Sequence, residues 1–361
     1  MYRDRDYLIT EEGIIFRVYG YIHPQKKGIC DVEYASESIY VSKDPRAIRF
    51  LCLDDGQERE NRFYKFYFDG GLKFIQEKYS QYQVYYKPLE TKLVGLDESQ
   101  VYKKIDPHQE LQEILNSDLN DSLLKTMNHV LEIILNHSSL KISDFGCFGS
   151  ICLDFYHVKY SDIDFIIYGR KELAELRETL STIYKSKKEK LSNEFDLIDS
   201  ESFVKSSWKF QNYSLKEYLE NEKNKLIYSV IQSPFSDRSI KIEFEPVKKF
   251  SEIKNEYDDI ISIKNEGWIE LTARIVEDQD AFYLQSIYII EVLDIKVGKK
   301  VEILQICNYL EEFRGIAKKN DIVLVKGNLE RVICKNREYF QVTISYGMKH
   351  HSKQVLKPIK N

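Results

Sequence analysis

The segment from Phe145 to Gly169, FGCFGSICLDFYHVKYSDIDFIIYG, constrains the fold of this 361-residue chain more than any other. It contains the pair Gly149-Ser150 and then, beginning eleven residues after Ser150, the sequence Ser161-Asp162-Ile163-Asp164. The next residues, Phe165–Tyr168, are β-branched and aromatic and stop at a glycine, which predicts a buried strand. The segment therefore predicts a short strand, a tight turn, a helix and a second strand.

The two aspartates predict a metal site. Side chains alternate between the faces of a strand, so Asp162 and Asp164 point the same way. Neither has a basic neighbour in sequence, and two adjacent carboxylates repel each other. A divalent cation relieves that repulsion, and oxygen ligands suit hard ions such as Mg²⁺ or Mn²⁺. We therefore expect a metal ion here.

The Gly149-Ser150 turn predicts a phosphate site. A tight turn that leads into a helix presents backbone N–H groups at the positive end of the helix dipole, where phosphate binds. Ser150 adds a hydroxyl donor. A phosphate site beside metal-binding carboxylates is typical of a nucleoside triphosphate (NTP) site.

Gly-Ser, the spacing and Asp-x-Asp on a strand together resemble the signature of the DNA polymerase β-type nucleotidyltransferase superfamily. Within it, the chain is most similar to the archaeal predicted nucleotidyltransferases. The resemblance covers residues 141–169 well and 106–248 more loosely. It implies metal-dependent transfer of a nucleoside monophosphate from an NTP to an acceptor hydroxyl, with release of pyrophosphate. It also implies site roles: catalysis and metal binding by Asp162 and Asp164, nucleotide binding by Gly149, Ser150 and Ser161.

The family mechanism needs a third carboxylate on a neighbouring strand. The alternating segment 238–247 predicts a strand, on which Glu243 is our first candidate for a catalytic and metal-binding residue and Glu245 the second. The alternative is a solvated edge strand. Glutamate departs from the family's usual aspartate, and its longer side chain changes the metal geometry.

A second departure concerns the helix after the turn. Active relatives often carry an arginine there that touches the triphosphate, whereas residues 151–157 contain none. Lys159 is the predicted nucleotide-binding substitute, with Lys223 and Lys225 as further candidates. The alternative is that all three are ordinary surface lysines.

The predicted fold class is α+β, in three domains. Residues 1–104 form an N-terminal β-rich α+β domain, and residues 105–255 a catalytic domain with a nucleotidyltransferase-type mixed sheet and helices. Apolar residues between Leu123 and Leu135 recur at helical spacing, which predicts a packed helix before the Gly-Ser strand. Residues 264–361 form an OB-like β-barrel, since the phrase AKKNDIVLVKG resembles the entry to the fourth strand of an OB-fold.

The distribution of charge along the chain bears on whether the protein binds nucleic acid. The net charge of −5 gives no global basicity for nucleic acid, but Lys318–Asn361 holds ten Lys/Arg and three Asp/Glu, a local excess of +7 (10 − 3). With interleaved aromatic residues, this segment predicts an RNA or tRNA surface on the barrel. The alternatives are protein contacts or packing on the catalytic domain.

The N-terminus is charged and no apolar run reaches 18 residues, which predicts a cytoplasmic protein without membrane contact. Scattered cysteines without a C-x-x-C pair agree with a reducing compartment. Two other functions stay open beside the transferase: a catalytically silent nucleotide- or RNA-binding protein on the same fold, and a toxin-like transferase that modifies tRNA or protein.

Overall fold

The computed structural model describes residues 2–48, 51, 62–196, 212–345 and 351–359. These residues form three β-sheets with flanking helices, so the α+β class is confirmed. The chain divides into two compact units. The first unit consists of Met1–Tyr85, Lys92–Ser192 and Ile227–Ile253; the second consists of Tyr86–Thr91, Asn193–Leu226 and Lys254–Asn361. This division groups the N-terminal and central sheets together, and the predicted borders near 104 and 255 stay predictions.

The N-terminal sheet has the strand order β5-β6-β3-β2-β1-β7, with β4 paired to β3. Two helices accompany it, and its core is built mainly from apolar side chains of β1, β2, β3, β6 and the second helix, with Phe66 and Tyr82. The elements are β1 Tyr7–Ile9, β2 Ile14–Val18, β3 Lys27–Ser36, α1 Pro45–Ile48, β4 Phe63–Lys65, α2 Gly70–Lys78, β5 Gln83–Tyr86, β6 Thr91–Asp97 and β7 Lys103–Ile105.

The central sheet has the order β10-β11-β12-β9-β8. β12 runs parallel to β9, while β8 and β11 are antiparallel to their neighbours β9 and β12. The elements are α3 Pro107–Asn116, α4 Ser122–Asn136, β8 Phe145–Phe148, α5 Gly149–Cys152, β9 Ile163–Tyr168, α6 Arg170–Ser186, β10 Leu191–Asn193, β11 Tyr228–Gln232 and β12 Ser239–Val247.

Helix α4 confirms the predicted apolar stripe. The Asp121 carboxylate accepts hydrogen bonds from the N–H groups of Leu123 at 2.8 Å and Leu124 at 2.9 Å, which satisfies two donors at the helix start. The apolar face is buried, from Leu123 through Ile134. This helix therefore serves as core.

Strand β12 is an interior strand. Its apolar residues Ile240, Ile242 and Phe244 are at most 1% exposed, as the alternation predicts. Because β12 lies between β11 and β9, the edge-strand alternative for Glu243 and Glu245 is wrong.

The second unit contains a helix and a six-stranded sheet whose pairing closes on itself. The order is β13-β14-β15-β17-β16-β18, and β13 also pairs with β16, so five strands form a ring-like arrangement around an apolar core. β15 and β17 are parallel. The elements are α7 Leu215–Lys225, β13 Ile260–Asp280, β14 Ser286–Val297, β15 Ile303–Asn308, β16 Ile322–Cys334, β17 Glu338–Ile344 and β18 Val355–Pro358.

A buried ion pair joins the N-terminal and central sheets within the first unit. The Arg5 guanidinium donates to the Glu245 carboxylate at 2.6 Å, with side chains only 1% and 8% exposed. Arg5 also lies over the Phe148 ring, at 5.3 Å from its centroid. Since a buried charge without its partner is costly, each member depends on the other.

We expect Arg5→Leu to lower the free energy of unfolding by about 3 kcal/mol, because Glu245 loses its cation in a dry environment. Chemical denaturation measures this loss. Arg46→Leu is the matched control: Arg46 pairs with Asp44 at 2.6 Å on the surface, and an exposed pair is worth at most about 1 kcal/mol. Equal, small losses in both variants would contradict the expectation.

Candidate functional site

Gly149 and Ser150 directly follow β8, as the sequence predicts, and are the first two residues of the short helix α5. Gly149 has φ +65°, and a Cβ at this position would lie 2.3 Å from Oδ2 of Asp164. Both the backbone conformation and the close approach therefore require glycine. The turn and the Asp-x-Asp strand are in direct contact.

The donors of this turn are partly engaged. The N–H of Gly149 donates to the Tyr7 hydroxyl at 3.2 Å, so it is not an open phosphate donor as expected. The Ser150 hydroxyl donates to Oγ of Ser161 at 3.1 Å, and Ser150 also lines the cavity described below. Ser150 is thus the residue of the pair that lines the cavity.

Three of the predicted carboxylates lie on one face of two adjacent strands. Asp164 of β9 is opposite Glu243 of β12 in the parallel register, and Ile166 is opposite Glu245. Because alternate residues share a face, Asp164, Glu243 and Glu245 project to the same side, and Asp162, directly before β9, lines the same cavity as Asp164. The tertiary structure therefore brings the third-carboxylate candidates beside the Asp-x-Asp sequence.

The two glutamates differ in their surroundings. Glu245 is buried and committed to Arg5, whereas Glu243 is half-buried and directly opposite Asp164. We therefore keep Glu243 as the first candidate for the third carboxylate and assign Glu245 to the ion pair.

Burial raises the pKa of the Asp164 carboxyl to about 7. The negative charges of Asp162 and Glu245 raise this pKa further, and the positive charges of Lys65 and Arg5 lower it. Burial is thus the main reason why the charged form of Asp164 is disfavoured, and a further cation beside it would favour that form.

The loop before Asp162 is held by two polar residues. The Ser161 hydroxyl, 3% exposed, accepts from the N–H of His157 at 2.9 Å. Arg238, just before β12, donates to the carbonyl of Ser161 at 2.9 Å and to that of Val158. Ser161, a predicted nucleotide-binding residue, therefore orders the loop and contributes to the cavity wall.

The three lysines predicted as candidates for nucleotide binding do not line this cavity. Lys159 is exposed, its N–H donates to Nδ1 of His157, and it is not part of the cavity wall. In the second unit, Lys223 contacts Asp196, and buried Lys225 contacts Glu222 at 2.6 Å. The surface-lysine alternative is therefore wrong for Lys225, which is a buried structural residue.

A cavity of about 190 Å³ opens beside the Asp-x-Asp strand. The central sheet and its loops contribute Ser150 and the aspartates, and the N-terminal sheet contributes Lys65. Aromatic rings form much of the remaining wall; they belong to Tyr34, Phe63, Tyr67, Phe155 and Tyr160.

Sequence reasoning missed Lys65 and these rings. Lys65 is the last residue of β4 and lies opposite Tyr34 of β3, nearly one hundred positions before Asp164 in the chain. Phe155 stacks on Phe63 with ring centroids 4.7 Å apart and meets Tyr34 edge-on at 5.4 Å. No local pattern links these strands to the Asp-x-Asp segment, so only the fold reveals the association.

Among the described residues, no group of three or more His, Cys, Asp or Glu side chains has the geometry to hold a metal ion. The predicted ligands Asp162, Asp164 and Glu243 offer oxygen donors of the kind that Mg²⁺ prefers.

Gly149→Ala is expected to destabilise the first unit by about 1–3 kcal/mol, because it combines a disfavoured φ with a clash against the Asp164 carboxylate. Denaturant unfolding measures the loss. Gly267→Ala provides the comparison, since Gly267 also has a positive φ but no atom within 4 Å of an added Cβ. If the Gly149 variant lost no more than the Gly267 variant, the close approach would be refuted.

Asp164→Asn is expected to stabilise the protein at pH 8 but not at pH 4. The folded state keeps the Asp164 proton up to about pH 7, whereas an unfolded chain releases it near its ordinary value of 3.8, so wild-type stability falls as pH rises between them. Asparagine does not titrate, so the stability of the Asp164→Asn variant does not fall with pH for this reason. Because Asp164 is only partly buried, we expect a difference of order 1 kcal/mol.

Thermal unfolding across this pH range measures the effect, with exposed Asp237→Asn as the control. A difference between wild type and Asp164→Asn that stays constant with pH would contradict the raised pKa.

Comparisons with known proteins give one relative. No family model matches the chain, and no solved structure matches it. The chain is 26% identical over 344 residues to an uncharacterised protein of Methanocaldococcus jannaschii, and the match covers 94% of each chain. Within the part of the chain that the structure describes, no helix has the length and apolar character to cross a membrane.

Proposed function

We propose that this protein is a metal-dependent nucleotidyltransferase that moves a nucleoside monophosphate from an NTP to an acceptor hydroxyl. The observation that carries the proposal is the placement of Asp164 against the Gly149 turn and opposite Glu243. It supports the proposal because residues of the Gly-Ser turn and of the Asp-x-Asp sequence line one cavity: Ser150, Asp162 and Asp164. The central mixed sheet is compatible with a nucleotidyltransferase-type fold.

The carboxylates of this site are the kind of oxygen donor that a divalent cation prefers. Asp162, Asp164 and Glu243 are the residues that would hold Mg²⁺ or Mn²⁺, and a cation bound there would favour the charged form of Asp164, whose pKa burial raises. When bound, such ions lower the pKa of a hydroxyl and neutralise charge on phosphate oxygens.

The protein's own residues would position the reactants. Ser150 is placed to hydrogen-bond a phosphate oxygen, and the aromatic wall offers surfaces on which a base can stack. In the reaction, the acceptor oxygen attacks the α-phosphorus, the bond to the bridging oxygen breaks, pyrophosphate leaves and the acceptor proton passes to water. The contribution of the protein is orientation and charge complementarity.

For the acceptor, we propose an RNA end such as that of tRNA, bound by an OB-like barrel in the second unit. The closed ring of five strands supports an OB-like interpretation. The support that the basic segment gives to RNA binding is smaller than its sequence count indicates. Five of its cations lie within 4.0 Å of carboxylates: Lys326, Arg331, Lys335, Arg337 and Lys357. Tyr346, Lys349 and His350 of that segment lie outside the described residues. A toxin-like enzyme would use the same chemistry on tRNA or on a protein hydroxyl.

A catalytically silent nucleotide-binding protein is the second candidate. The observation that favours it is the positive charge of Arg5 and Lys65 beside Asp164, which lowers the pKa of that carboxyl without any metal. Such a protein would bind nucleotide after chelation of divalent ions and release no pyrophosphate.

The test is a pyrophosphate-release assay with each of the four NTPs, Mg²⁺ or Mn²⁺, and with or without bulk tRNA. We expect metal-dependent release that Asp162→Asn/Asp164→Asn reduces by several orders of magnitude, because both carboxylates are needed to hold the ions. Exposed Asp237→Asn should keep wild-type turnover.

Stimulation by tRNA would assign the acceptor class. Turnover that survives the double substitution would refute the assignment of the aspartates. Nucleotide binding that persists in a chelator, without pyrophosphate release, would favour the silent protein.

A further inference from the structure

Lys65 is a cation that the N-terminal sheet brings to the Asp-x-Asp strand. It ends β4, and its side chain lines the cavity together with Ser150, Asp162 and Asp164. The side chain is 39% exposed, so its ammonium group can reach a molecule in the cavity. Its charge acts on Asp164, whose pKa it lowers.

Lys65 contacts two residues of β3: its Nζ lies 5.7 Å from the centroid of the Tyr34 ring and at a long distance from the Glu33 carboxylate. Nζ lies 4.0 Å from Oε2 of Glu33, at the limit of an ion pair. The same carboxylate has a closer cation, since Nε of Arg17 lies 3.1 Å from Oε1. Glu33 thus does not depend on Lys65 for neutralisation, and an ion pair at this separation constrains a flexible lysine little.

Among the residues that the structure describes, the cavity wall includes no lysine or arginine besides Lys65. Residues 151–157 contain no lysine or arginine, and the N–H of Gly149 is bonded to Tyr7. Arg5 is committed to Glu245. Lys65 is accordingly the lysine that the structure places on the cavity wall with the aspartates.

A triphosphate beside carboxylates needs positive charge besides metal ions, because its phosphates and the carboxylates repel one another. Lysine supplies a mobile point charge that suits phosphate oxygens. Neighbouring rings of the same wall, Tyr34 and Phe63, provide apolar surface for the nucleoside part of such a ligand.

We propose that Lys65 binds the phosphates of the nucleotide, so that the N-terminal sheet contributes a substrate-binding residue to the site. This inference rests on the proposed function, since it takes an NTP as the ligand. It gives the N-terminal sheet a direct part in substrate recognition.

Calorimetric titration of the full-length protein with each NTP and Mg²⁺ tests the proposal, and inorganic pyrophosphate and the free nucleosides serve as further probes. We expect Lys65→Gln to weaken NTP and pyrophosphate binding about 10- to 100-fold, the usual range for loss of a hydrogen bond to a charged group. Nucleoside binding should be unchanged, and Lys65→Arg should restore most of the phosphate affinity.

Lys27→Gln is the matched control. Lys27 belongs to the same sheet but contacts Asp97 on the surface, so its removal should leave nucleotide binding at the wild-type level. Thermal unfolding of both glutamine variants checks that affinity, and not folding, has changed.

Wild-type affinity of Lys65→Gln for NTP and pyrophosphate would overturn the inference and leave the proposed function standing. An equal loss of nucleoside and triphosphate affinity would also overturn it, because the lysine would then support the cavity as a whole. Absence of NTP binding by the wild-type protein would overturn the inference together with the proposed function.

Discussion

The parallel pairing of β9 with β12 is the constraint on which the site depends. Its register sets Asp164 opposite Glu243 and places three carboxylates on one face of two adjacent strands. Such a face is unfavourable unless positive charge lies nearby, since burial and mutual repulsion both disfavour ionisation. The pKa of Asp164 is raised to about 7, chiefly by burial and further by the charges of Asp162 and Glu245.

The N-terminal sheet supplies much of the compensation. Arg5 neutralises Glu245 in the interior, and Lys65 acts on Asp164 from the cavity wall. Stacking adds to these charges: the Tyr7 ring lies parallel to that of Phe148 at 5.2 Å, and the Tyr7 hydroxyl accepts from Gly149. The Gly-Ser turn is therefore held by residues of the first strand of the chain, which explains why the two sheets belong to one compact unit.

The second unit illustrates how local composition overstates a charged surface. The segment from Lys318 onward carries an excess of cations, but strands β13 and β16 lie side by side and place acidic residues next to several of them. Glu266 and Glu270, for example, contact Arg331 and Lys326. Ion pairs of this kind reduce the field available to a polyanion, so any RNA surface must be smaller than the count of lysines and arginines indicates.

The sequence alone determined the elements that depend on local periodicity: helix α4, the buried strand β9, the alternation of β12 and the glycine turn. Each of these features depends on the spacing of apolar residues or on the backbone conformation of one residue, and both are set by residues close in sequence. Only the tertiary structure decided which carboxylate pairs with Arg5, that the Gly149 N–H is occupied, and that Lys65 lies beside Asp164. These outcomes depend on strand register and on contacts between residues far apart in sequence, whose energies no local pattern encodes.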